Sequence, residues 1–256
     1  MKIRVLGAHN CDSRDKKLVT LLIDDVLALE AASLTSSLSF REQQNIKAVF
    51  ITHRHYDHLR DIPALGMNLF LSQKNVRLYG SADVYNALKS YLVNGDIYPA
   101  FLNSRTENPV LIFHEVVPYQ TQEVEEYRIK AVPVNHSVPT LGYQITSKDD
   151  KSVFYTGDTG MDFIGVWQNV NPQLLITEVT APDRYEISVG SNKHLTPRLL
   201  REALLSFKEI RGYLPRVLLV HMNPFLEDEI RQEIEKVSSS LDTEIHLAYE
   251  GMDLIF

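Results

Sequence analysis

The chain has 256 residues and a formal charge of −7, with 44% hydrophobic and 23% charged side chains. That is the composition of a globular domain with a sizeable core, and no apolar run is long enough to cross a bilayer. No Lys/Arg-rich stretch is present, which argues against the basic surface that usually holds long nucleic acids.

The opening residues Met1-Lys2-Ile3-Arg4-Val5-Leu6 read as a strand and lack the long apolar core of a signal peptide. Cys11 is the one cysteine, so no internal disulfide can form. A cytoplasmic location is expected on both counts. No repeat or Pro/Gly-rich linker divides the sequence, and residues 1–256 read as one domain.

Strand-like runs cover residues 2–6, 18–23 and 26–29, with Asp24-Asp25 as a hairpin turn between the last two. The polar stretch from Gly7 to Ser13 holds His9 and Cys11, and reads as a loop rather than as a pair of ligands. Residues 35–45 read as a helix. Ala48-Val49-Phe50-Ile51 reads as a buried strand, and directly after it stands Thr52-His53-Arg54-His55-Tyr56-Asp57-His58. Three of nine histidines, with an aspartate, fall within six positions. Imidazoles and carboxylates are the donors that Zn²⁺ and related divalent metals accept. In an extended segment His53, His55 and Asp57 would share a face while His58 points elsewhere, an arrangement that suits two metals better than one.

Asp61 as N-cap and Pro63 in the first turn open a helix to residue 72, and residues 76–79 form a strand before a capped helix over 81–93. Asn94-Gly95-Asp96-Ile97-Tyr98-Pro99-Ala100-Phe101 is an aromatic turn that either overhangs a site or caps the core. Strands are expected at residues 110–116, 127–134, 141–145, 152–156, 174–177, 216–220, 244–248 and 253–256. Helices are expected at 197–210, with Thr196 as N-cap and Pro197 at its first position, and at 225–238. The order fits a layered α/β architecture with helices covering two sheets.

One pattern recurs: a strand, then a metal-type residue where it ends. It appears at His53/His55/Asp57/His58, at His136, at Asp158 within Thr156-Gly157-Asp158-Thr159-Gly160, and at His221. His114 and His246 lie inside strand patterns with no neighbouring donor and are left out. In this order the residues resemble the metallo-β-lactamase-fold hydrolases, along essentially the whole chain. The resemblance implies a four-layer αβ/βα sandwich with two divalent metals, usually zinc, with Mn²⁺ or Fe²⁺ also compatible. It implies that His53, His55 and His136 hold one metal, that Asp57, His58 and His221 hold the other, and that Asp158 bridges them.

Thr177-Glu178-Val179-Thr180 and Lys193-His194-Leu195-Thr196-Pro197 look like the Glu and His motifs of the tRNase Z and class II cyclic-nucleotide phosphodiesterase branch. The aromatic turn is similar to the loop that the phosphodiesterase members carry, with Tyr98 where they often have Trp. No extended basic arm of the kind tRNase Z uses on tRNA is visible. The expectation is therefore a phosphodiesterase acting on a small ester, first a cyclic nucleotide, with tRNase Z-like 3′ processing or another ester as alternatives. Long nucleic acid is not expected as a partner, and the branch implies a homodimer. Asp57 and Asp158 would orient the attacking water, with Asp57 also able to accept a proton. His194, charged beside Glu178, would be the general acid, and the helix at Pro197 would offer backbone N–H groups to a phosphate oxygen.

Overall fold

Apolar runs bury on both sides and become the inner strands, while alternating ones become edge strands with one wet face. The computed structural model describes residues 1–103 and 109–255. The first sheet starts with β1 (Lys2–Gly7), β2 (Thr20–Ile23) and β3 (Leu27–Leu29), the last two fully buried. The β2–β3 turn closes with Val26 N–H donating to Ile23 O, and Asp24 and Asp25 both take positive φ, the backbone a tight hairpin needs. The expected helix over 35–45 is broken instead. It becomes α1 (Leu34–Ser37) and α2 (Phe40–Gln43), because Leu38 is extended and Ser39 and Glu42 form a reciprocal capping box that starts a second helix.

Next come β4 (Ala48–Phe50), α3 (Tyr56–Leu59), α4 (Ile62–Leu71), β5 (Val76–Gly80), α5 (Ala82–Ala87, running on into a π-turn over Leu88–Leu92) and β6 (Leu111–Glu115). Asp61 stands at the N-cap of α4, but its side chain caps α1 instead, accepting from Thr35 N–H and Oγ1. The aromatic turn caps the core: Phe101 is buried beside Phe70, and Tyr98 packs on the same cluster.

The second half supplies β7 (Thr121–Val124), which the sequence did not signal, β8 (Tyr127–Val134), β9 (Thr140–Thr146), β10 (Ser152–Tyr155), α6 (Ile164–Trp167) and β11 (Leu174–Glu178). After a short 3₁₀ turn follow α7 (Glu186–Ser191), α8 (Pro197–Arg211), β12 (Arg216–Val220), α9 (Glu227–Leu241), β13 (Ile245–Leu247) and β14 (Asp253–Ile255). Phe256, the end of the last expected strand, lies outside the described residues.

The strand order is β14-β1-β2-β3-β4-β5-β6 in one sheet and β13-β12-β11-β10-β9-β8-β7 in the other. In each, antiparallel pairs give way to parallel ones, at β3–β4 and at β10–β11. One core lies between the sheets, where Leu21 and Ile23 meet Ile129, Tyr143 and Val153, and a second lies between the first sheet and its helices. This is the expected αβ/βα sandwich. Two hydrogen bonds fasten the sheets together near the end of β4: Tyr143 Oη donates to Ile51 O at 2.9 Å, and Leu141 N–H to Thr52 O at 3.0 Å. No helix among the described residues is long and apolar enough to cross a membrane.

Candidate active site

The residues singled out at the strand ends come together along one edge of the sandwich. β4 delivers buried His53, whose Nδ1 meets Thr52 Oγ1 at 2.9 Å. The segment beyond is not extended: His55 is the N-cap of α3, and Asp57 and His58 lie in its first turn. That turn changes which residues share a side. His53 and His55 face His136 and Asp158, while Asp57 joins His58, Asp158 and His221, with all donor atoms of each group within 4.8 Å of one another. The alternation expected of a strand fails here because the helix begins inside the motif.

Asp158 stands between the groups. Its Oδ2 lies 3.3 Å from the Nε2 atoms of His58 and His221, 3.7 Å from that of His53 and 3.9 Å from that of His136. Its Oδ1 is buried and makes no hydrogen bond. Gly157 takes φ +63° directly before it, and a Cβ there would stand 2.7 Å from Thr52 Cγ2, so only glycine lets the two loops approach.

Electrostatics match a cation site. Burial lowers His53, His55 and His136, which keeps them neutral with a lone pair to give. Burial opposes the charge on Asp57, yet His221 and His58 draw its carboxyl down to about 2. Burial also works against a charged His58, but Asp158 and Glu30 on either side raise it well above an ordinary imidazole. Buried carboxylates of this kind demand positive charge, from a protonated imidazole or from a metal ion. Inward-facing imidazoles, two carboxylates and a buried oxygen without a partner are a donor set that fits divalent cations.

Beside the second group, His194 Nδ1 lies 2.7 Å from Glu178 Oε1, and its ring stacks on His221 with centroids 5.3 Å apart. Burial lowers the His194 pKa, but Glu178 more than compensates and raises it to about 9. Glu178 is fully buried at the end of β11 and also accepts from Thr159 N–H, Thr180 Oγ1 and Leu195 N–H.

The α8 N-terminus does not offer the free amides expected of it. Arg198 N–H donates to Asp183 Oδ1 and Leu199 N–H to Thr196 Oγ1, while Pro197 has none. With an aspartate in place, this helix start has no room for a phosphate oxygen.

Glu30 and His9 take places that the sequence did not signal. Glu30, fully buried with φ +64°, accepts from Thr52 Oγ1 and lies 3.1 Å from His58 Nδ1, a placement that turns the His58 Nε2 toward Asp158. A lone acid closing the apolar run Leu27-Ala28-Leu29 was its one visible signal. His9 is buried rather than looped out, between Glu250 Oε1 at 2.7 Å and Glu227 Oε2 at 3.1 Å. Cys11 is exposed, His246 is exposed, and His114 stacks on Tyr79.

A model of the beta-lactamase superfamily domain matches residues 20–222. The chain belongs to the beta-lactamase superfamily. Within that superfamily it is 32% identical over 111 residues to ribonuclease Z of Pyrococcus abyssi, a stretch that is 43% of this chain and 34% of the relative. The match thus spans about a third of the length of the curated relatives. Among solved structures, unliganded yeast PDE1 aligns with a TM-score of 0.85 at 14% identity, covering 100% of this chain and 99% of that one. The short form of human tRNase Z aligns at 0.71 and 18%, covering 100% and 99%. At such identities these two likenesses speak for the fold alone.

Proposed function

We propose that this protein is a two-metal phosphodiesterase, with residues 1–256 as one catalytic domain and a 3′,5′-cyclic nucleotide as its leading substrate. The observation that carries the proposal is half-buried His194, held by fully buried Glu178 and stacked on His221, which sets a charged imidazole beside the donor cluster. In this reading His53, His55, His136 and Asp158 hold one ion and Asp57, His58, Asp158 and His221 the other. Zinc is the ion these donors suit best, and Mn²⁺ or Fe²⁺ also fit.

When bound, the ions supply charge to the phosphoryl oxygens and lower the pKa of the attacking water. Asp57, with its carboxyl near 2, is a strong hydrogen-bond acceptor and a poor proton store, so it orients that water more than it deprotonates it. Asp158 sets one oxygen among four imidazole nitrogens, nearest to those of His58 and His221. His194 carries the proton that the leaving alkoxide needs, and its pKa near 9 keeps that proton in place at neutral pH. Glu178 holds Nδ1, which leaves Nε2 for the substrate.

A pre-tRNA 3′ end is the second reading, favoured by relatives named ribonuclease Z. The net charge of −7 does not set RNA aside against that observation. Both substrates are phosphodiesters and call on the same residues. A panel of 3′,5′-cyclic nucleotides, bis(p-nitrophenyl) phosphate, a pre-tRNA transcript, a thioester and a lactone, assayed on zinc-loaded protein, separates them. Turnover of cyclic nucleotides above pre-tRNA is expected. Cleavage of pre-tRNA alone would favour the second reading, and activity on no phosphodiester with two metals bound would end both.

A further inference from the structure

Thr180 lies two residues past the end of β11 and is almost fully buried. Its Oγ1 is 2.7 Å from Glu178 Oε2, 3.0 Å from His221 Nδ1 and 3.3 Å from His194 Nδ1. Its main chain is committed to the same neighbours. Thr180 N–H donates to Leu195 O at 3.1 Å, and Asn223 N–H donates to Thr180 O at 3.1 Å. The residue is thus wedged between the segment carrying His194 and the segment carrying His221.

The hydroxyl has one proton and two lone pairs, and its partners fix how these are used. His221 turns Nε2 toward Asp57 and Asp158, at 3.4 and 3.3 Å, and with an ion bound to Nε2 its proton would sit on Nδ1. Nδ1–H then donates to Thr180 Oγ1. The threonine proton goes to Glu178 Oε2, since a carboxylate can only accept. The other Glu178 oxygen takes the His194 Nδ1 proton at 2.7 Å. One chain of hydrogen bonds therefore runs from His221 through Thr180 and Glu178 to His194.

We propose that Thr180 is a positioning residue that couples the His194 acid to the ion-binding group of Asp57, His58, Asp158 and His221. Its hydroxyl holds the His221 ring in the tautomer and orientation that present Nε2 to a metal. The same hydroxyl steadies one oxygen of the carboxylate that orients His194. The His194 part rests on the phosphodiesterase reading; the metal part does not.

Thr180→Val keeps volume and main-chain bonds while removing the hydroxyl, and Thr180→Ser restores it. Metal-stripped protein is titrated with Zn²⁺ by calorimetry for both variants and wild type. The valine variant is expected to lose about 10–100-fold in affinity for one of two ions, the usual cost of removing the hydrogen-bond partner of a metal-binding histidine. The other ion should bind as before, and serine should restore both. On kcat/KM the valine loss should be larger for an alkyl phosphodiester than for bis(p-nitrophenyl) phosphate. Wild-type binding of both ions by Thr180→Val, or a serine variant as weak as valine, would overturn the proposal; if valine does not fold, Thr180→Ala takes its place against serine. A wild-type protein that binds Zn²⁺ but cleaves no phosphodiester would defeat the functional reading and leave the titration to decide Thr180. A wild type that takes up no metal would overturn both.

Discussion

At the scale of single residues, the proton of His194 is the point where chemistry and structure meet most directly. In the proposed mechanism an alkoxide leaving group takes that proton, whereas p-nitrophenolate departs almost without it. His194→Ala should therefore keep its metal content and lose about 10²–10⁴-fold in rate on an alkyl phosphodiester, with a much smaller loss on bis(p-nitrophenyl) phosphate. Equal losses in a steady-state comparison of the two esters would remove the acid role. His194 and Glu178 were legible because each sits in a compact motif. Glu30 and Thr180 were not, because their partners His58 and His221 come from distant parts of the chain and a single buried acid or hydroxyl has no period to betray it.

Among the elements, the strands were legible where burial made them uniform. β4, β10 and β11 are buried along their whole length and read as apolar runs. β7 is mostly exposed at the edge of its sheet, and its Thr-Gln-Glu-Val sequence gives no such signal. The periodicity of the histidine motif misled, since a helix starting at Tyr56 replaced the extended path and moved Asp57 to the other group, the grouping that the family resemblance had implied. The loop after β10 is the element most sensitive to change. Gly157→Ala forces a side chain into a left-handed backbone and against Thr52, which should cost about 1–3 kcal/mol. Because Asp158 follows directly, zinc affinity should fall with stability. Denaturant unfolding and zinc titration measure the two losses, and a stable variant with unchanged zinc affinity would show that the loop has slack.

For the whole molecule, the first loop, the start of α9 and the segment before β14 meet at His9. Burial raises the Glu250 pKa, but hydrogen bonds from His9 and from Lys17 N–H bring it down to about 2 from an ordinary 4.5. A depressed carboxylate adds stability above its unfolded pKa and loses it as pH falls through the folded one. Glu250→Gln should thus cost about 1–3 kcal/mol at pH 7, with the gap to wild type closing as pH drops below about 4.5. A gap that stays constant with pH would assign the effect to shape instead of charge. Metal should stabilise the same fold by mass action, by about 2.7 kcal/mol when free ion stands a hundredfold above its Kd. A chelator should lower Tm and zinc should restore it; an unmoved Tm would argue that the cluster binds no ion.

The two bonds that join the sheets, Tyr143 Oη to Ile51 O and Leu141 N–H to Thr52 O, bracket the start of the histidine motif. His53 and His58 ride on one sheet, and His136, Asp158 and His221 on the other, so these bonds act as the gauge blocks of a caliper whose jaws are the proposed ligands. Any shift of one sheet across the other is read out as a change in jaw spacing. Such a shift can begin deep in the interior, far from any charged group. Under the proposed two-metal reading, tuning of catalysis is open to apolar drift in the seam, and variants that leave every proposed ligand intact should still alter ion affinity.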